Sequence, residues 1–231
     1  IHGATVRDRS VSVAIARFDK TDLKLVSLEV AGAGDSYAVG QALAKRLLAK
    51  PGLRGVLVLS EGLNVNGSEL VRGINETLDP SVVVTGGLAG DGSRFERTWV
   101  AVGGRVARNV IAAVGFYGDH VVVGHGSKGG WDTFGPERVI TRSEGNVLYE
   151  LDEQPALALY ERYLGPHAEG LPRSGLLFPL EVRPPDGGPS VTRTLLAVDR
   201  AAGSITFAGD MPTGHVARLM RANIDRLVDG A

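Results

Sequence analysis

The chain has 231 residues, 43% of them hydrophobic and 22% charged, with a net charge of −1. That balance belongs to a folded protein large enough for a real core, and it argues against nucleic acid or an anionic membrane as a partner. The chain has no cysteine, which excludes disulfides, thiolate metal sites and cysteine nucleophiles and permits a cytoplasmic location, and no apolar run approaches the ~20 residues that span a bilayer.

The first residues, Ile1-His2-Gly3-Ala4, carry neither an initiator methionine nor a signal-peptide pattern. A chain cut from a longer reading frame, or incomplete at its start, is the expectation. Val11–Phe18 alternates weakly and predicts a strand. Asp19–Asp22 predicts a polar turn and Leu23–Val30 the second arm of a hairpin. In Tyr37–Lys50, Val39, Leu43 and Leu47 fall at helical spacing. Asp35 or Ser36 is the expected N-cap, and Lys45, Arg46 and Lys50 complement the helix dipole near Pro51-Gly52.

Leu57–Gly92 organises the chain. It reads strand, glycine-containing turn, helix, strand, glycine-rich turn. Val56–Ser60 is the first strand. Asn66-Gly67-Ser68 starts a helix that runs to about Leu78, with Pro80 beyond it. Val82–Thr85 is the second strand, and Gly86–Gly92 the second turn. Such turns at neighbouring strand ends present backbone N–H groups to a small ligand, or they only reverse the chain.

From Arg97 the pattern is mostly strands. Thr98–Val102 and Val106–Val114 flank Gly103-Gly104-Arg105, a hairpin signal. Val110–Tyr117 and Val121–Gly124 predict a second hairpin around Gly118-Asp119-His120. Arg138–Arg142 and Val147–Leu151 are strands about Gly145-Asn146. Gln154–Leu164 is a helix with Pro155 in its first turn. Leu176–Val182, Val191–Val198, Ser204–Ala208 and His215–Met220 read as strands, and Ile224–Leu227 as a short terminal helix. The fold class is α+β: largely antiparallel sheets flanked by helices, in two domains that meet at 131/132.

Several ordered segments together resemble FIST proteins, which pair a FIST N-terminal with a FIST C-terminal domain. They are Asn66-Gly67-Ser68-Glu69-Leu70, Gly86-Gly87-Leu88-Ala89-Gly90-Asp91, Gly130-Trp131 with Gly135-Pro136, Glu144 to Leu151, Pro155-Ala156-Leu157 and Gly209 to Gly214. The resemblance covers about Val11 to Ala231. It implies an N-terminal domain over 1–131 and a C-terminal one over 132–231, and a sensory module of intracellular signalling rather than an enzyme. The implied partners are a small ligand such as an amino acid and an output protein such as a histidine kinase. One subgroup of the family binds haem and senses nitric oxide. The family's opening segment and its closing helix and strand lack counterparts here, so an edge strand of each domain is expected to be missing.

The leading ligand site combines Asn66, Gly67 and Ser68 with Gly86, Gly87, Gly90 and Asp91. Helix-start N–H groups near Ser68 suit a carboxylate, and Asp91 suits an ammonium group. Gly124–Trp131 with Phe134 is a second candidate, in which Trp131 is either a ligand wall or a buried anchor between domains. His125 is the axial-ligand candidate in a haem reading and otherwise a hydrogen-bonding residue. His2, His120, His167 and His215 show no metal spacing. Gly34-Asp35-Ser36 is similar to the nucleophile turn of GDSL-type esterases, but no Asp-x-x-His follows. A hydrolase would need Ser36 or Ser127 beside a histidine.

Overall fold

A computed structural model describes residues 10–126, 129–223 and 225–226. The architecture is α+β in two parts. The first part holds β1 (Asp22–Glu29), α1 (Ser36–Leu48), β2 (Leu53–Ser60), α2 (Gly67–Asn75), β3 (Val83–Leu88), the hairpin β4 (Val100–Val102) and β5 (Arg105–Ala107), and β6 (Val110–Tyr117). Its main sheet has the order β1-β6-β2-β3. β6 runs antiparallel to both neighbours, and β2 and β3 run parallel, joined through α2. The stretch picked out in the sequence is therefore a β-α-β unit.

β6 lies between two partners and its residues Val110–Ala113 are all buried. Leu43, Leu47, Val56, Leu70, Ile74 and Ile111 form the centre of this core. The two helices cross at a glycine pair. A Cβ on Gly40 would meet the Leu70 carbonyl oxygen at 2.4 Å, and one on Gly73 the Tyr37 oxygen at 2.2 Å. Only hydrogen side chains allow backbones to approach so closely. At Gly103-Gly104 both φ values are positive, 57° and 78°, the conformation that a tight two-residue hairpin turn requires.

The second part holds β7 (Trp131–Glu144), β8 (Val147–Leu151), β9 (Gln154–Pro155), α3 (Ala156–Leu164), β10 (Leu180–Arg183), β11 (Val191–Arg193), β12 (Leu195–Asp199), β13 (Ser204–Phe207) and β14 (Val216–Ala222). The order is β11-β10-β14-β7-β8-β13-β12, with β9 on β8, and every pairing is antiparallel. α3 buries Leu157, Tyr160 and Leu164 in a second core with Ile140, Leu148, Ile205 and Phe207.

Several sequence expectations change. Val11–Phe18 forms no strand, and Val11 and Ile15 are exposed; β1 pairs with β6 instead of with this segment. Val121–Gly124 is not a strand either, because β1 and β2 already occupy both edges of β6. Val123 of that segment packs on β2, where it fills the space that a side chain at Gly55 would need. Gly86 and Gly87 belong to β3, and the turn begins only at Ala89. Leu176–Val182 divides into a 3₁₀ turn over Arg173–Leu177 and β10, with Pro179 between them. Val191–Val198 breaks at Thr194, since β11 pairs with β10 while β12 pairs with β13. The terminal helix at 224–227, and His2, lie mostly or wholly outside the described residues. Among the described residues no helix is long and apolar enough to cross a membrane.

Candidate functional site

The first turn of α2 sits at the junction of the two sheets. Asn66 caps it: its Oδ1 accepts from the N–H of Ser68 (3.1 Å) and Glu69 (3.3 Å), and its Nδ2 donates to Asp210 Oδ1 at 2.5 Å. The Gly67 N–H donates to the Ala208 carbonyl and the Leu70 N–H to the Asn66 carbonyl. Every N–H at this helix start therefore already has a partner, and the expected carboxylate site on those donors is closed.

The Ser68 hydroxyl accepts from Arg193 Nη2 at 3.0 Å and from the Asp210 N–H at 3.1 Å, while Arg193 Nε donates to the Asp210 carbonyl at 2.7 Å. Gly209 fits here because it has no side chain, as a Cβ would lie 2.6 Å from Ser68 Oγ. Gly145 closes the other side, near Asp210 and the Asn66 amide. Asn66-Gly67-Ser68, Glu144-Gly145-Asn146 and Gly209-Asp210, far apart in sequence, thus meet at one point.

Beside this junction lies a cavity of about 810 Å3, within the range of small-molecule sites. α2 contributes Gly67, Ser68, Leu70, Val71, Arg72 and Ile74; β3 contributes Val84 to Leu88. Val191–Thr194 and Ala208-Gly209 form the opposite wall, and His125-Gly126 the rim. The wall carries two arginines and no Asp or Glu. Arg72 is neutralised by Glu69 at 2.6 Å and rests over the Tyr37 ring. Arg193 makes no ion pair among the described residues. Burial pushes its guanidinium below the ordinary arginine value, against the opposing pull of the Asp210 carboxylate. A half-buried cation with neutral partners is a seat for an anion.

The sequence-derived residues divide accordingly. Gly67, Ser68, Gly86, Gly87 and His125 line the cavity. Asn66 stands behind it as cap and bridge. The Ala89 N–H donates to the Ser60 carbonyl and Gly62 packs on Ala89, and Gly67 faces the Leu88 side chain, so the chain on either side of α2 comes together. Gly90 and Asp91 nevertheless lie off the cavity wall. Asp91 accepts from the N–H groups of Phe95, Glu96 and Arg97 at 2.8–3.1 Å. Burial pushes its carboxyl up, and those N–H groups outweigh this and hold it below the ordinary carboxylate value. It organises its own loop instead of waiting for an ammonium group. Trp131 opens β7, paired with Ala222, away from the cavity wall. Arg193 carried no motif that singled it out, and Asp210 stood within the family-like segment Gly209 to Gly214 without a role assigned to it. The readable signal was Arg193 in a period of two with Val191 and Leu195, a cation in phase with a core residue.

His125 is exposed on a segment without regular structure, and the wall facing the cavity includes the polar Ser68 and Arg193. Among the described residues no hydrogen bond orients the His125 imidazole as an axial haem ligand would be oriented. Ser36 is fully buried, and its hydroxyl accepts the Asn66 N–H at 2.9 Å. It begins α1, and neither it nor Asp35 makes a side-chain cap bond to that helix. Ser127 lies outside the described residues.

Family models match the chain in two consecutive parts: a FIST N domain over residues 1–154 and a FIST C domain over residues 156–231. No curated protein and no solved structure gives a significant match.

Proposed function

The chain belongs to the FIST family, whose domains are small-ligand sensory domains of signal transduction, and from that premise we propose that it senses a small carboxylate in the cavity between α2, β3 and β11. Amino acids and their derivatives are ligands of that class. The observation that carries the reading is Arg193: a cation on the cavity wall, half-buried, and among the described residues hydrogen-bonded only to neutral oxygens. An incoming carboxylate would complete its fork of donors.

The same guanidinium holds Ser68 on one sheet's helix and the Asp210 carbonyl beside the other sheet. A ligand that draws on Arg193 therefore acts on the contact between the two parts. Such a shift is a signal that an output partner, such as a histidine kinase, can read, provided that the ligand favours one arrangement of the junction over the other.

A thermal-shift screen of amino acids and other small carboxylates tests the reading. A ligand at 100 times its Kd stabilises by about 2.7 kcal/mol. The expected hits lose their shift in Arg193→Ala. Hits that survive that substitution, or an absence of hits, would overturn the reading.

A further inference from the structure

The cavity runs between two unpaired sheet edges. β3 ends the first sheet and β11 ends the second; among the described residues β3 pairs only with β2, and β11 only with β10. Both strands line the same space. Along an edge, alternate residues turn N–H and C=O groups outward without partners. On β3 the edge is also bare, because Gly86 and Gly87 expose backbone. Nothing lies within 4 Å of a Cβ built at Gly87.

The charge pattern is one-sided. Arg193 can hold a carboxylate, yet among the described residues the wall contains no acidic residue for an ammonium group, and Asp91 is engaged elsewhere. A free amino acid would bring an ammonium into this space with no carboxylate on the described wall to pair with it. A secondary amide in that position removes the charge and supplies a donor and an acceptor that suit a strand edge. Leu70, Ile74, Val84, Leu88 and Val191 give the wall an aliphatic portion beside the hydroxyls of Thr85, Thr192 and Thr194.

We propose that the ligand is an α-amino acid whose nitrogen is acylated, as in an N-acyl amino acid or the C-terminal residue of a short peptide, with an aliphatic side chain. Its carboxylate lies on Arg193 and its amide pairs with the exposed backbone of β3. This rests on the reading of the cavity as the sensory site and narrows it.

Calorimetric titration of the whole chain distinguishes the two levels. N-acetyl-leucine is expected to bind at least ten-fold more tightly than leucine. Replacing its carboxylate with a carboxamide should weaken binding at least ten-fold. The ester analogue, with oxygen in place of the amide N–H, should bind roughly three- to ten-fold more weakly, the range of one hydrogen bond. Gly87→Leu, whose Cβ meets open space, should block binding, with its melting temperature separating lost binding from lost folding; a folded Gly87→Leu protein that binds N-acetyl-leucine as tightly as wild type would overturn the pairing with β3. Alanyl-leucine tells peptide ends from N-acyl amino acids: tighter binding than N-acetyl-leucine assigns the site to peptides, weaker binding to N-acyl amino acids. If leucine or another free amino acid binds as tightly as its acetylated form, or the ester matches the amide, the acylated ligand is wrong while the sensory carboxylate site stands. If neither form binds and no other carboxylate does, both readings fall.

Discussion

Asn66 and Asp210, 144 residues apart in the chain, share a hydrogen bond of 2.5 Å between Nδ2 and Oδ1. The other atom of the same amide, Oδ1, caps α2. One buried side chain thus fixes both where a helix begins and how the first sheet meets the second.

Asn66→Ala should therefore cost more than a simple cap. Loss of an N-cap is worth about 1 kcal/mol, and a lost bond to a carboxylate about 1.5–3 kcal/mol. Urea denaturation should show a loss of roughly 2–4 kcal/mol. Asn66→Asp keeps the cap but sets a carboxylate against Asp210, so it should also destabilise at neutral pH. A wild-type midpoint for either variant would deny the bridge its role.

Gly40→Ala and Gly73→Ala place a Cβ within 2.4 Å of a carbonyl on the opposing helix. Backbone cannot yield cheaply, and overpacking of this kind costs about 1–3 kcal/mol. Gly87→Ala meets open space and should stay within about 0.5 kcal/mol of wild type. Equal denaturation midpoints for the three would show that α1 and α2 are free to move apart.

Asp91 predicts an acid limb. Its folded carboxyl titrates below its unfolded value, which is about 3.9. Its contribution is therefore present in full above about pH 5 and is lost as the pH falls through the unfolded and then the folded value. Asp91→Asn should lower stability at pH 7 by about 1–3 kcal/mol, as expected for bonds to a charged acceptor, and should flatten the dependence below about pH 4. Parallel acid limbs in the two proteins would assign the acid sensitivity to other groups.

Gly209→Ala tests the junction from the other side. The new methyl would stand 2.6 Å from Ser68 Oγ and 3.2 Å from Arg193 Cζ. Both side chains must shift, at a cost of about 1–3 kcal/mol, and with them the arginine of the cavity. Carboxylate binding should weaken several-fold, as measured by calorimetry. Unchanged affinity would mean that Arg193 need not be held by Ser68 to bind.

The sequence by itself determined the elements whose signals are local. Helical spacing of Val39, Leu43 and Leu47 marked α1, Asn66 marked the start of α2, and Gly103-Gly104 marked the tight hairpin; the observed elements agree. The family-like motifs also pointed to Gly67, Ser68 and Gly87, which line the cavity. Strand partnership was beyond the sequence, because pairing depends on which edges remain open once other strands have docked. Hence Val121–Gly124 lost its place beside β6. The chemistry of the cavity was decided at the same level. Helix-start donors that looked free are closed by Asn66 and Ala208, and Asp91 bonds its own loop. The charge that remains comes from Arg193, which meets Ser68 across 125 residues of chain. Hydrogen bonds and burial between segments so distant exist only in the folded molecule, and they determine which polar groups face a ligand.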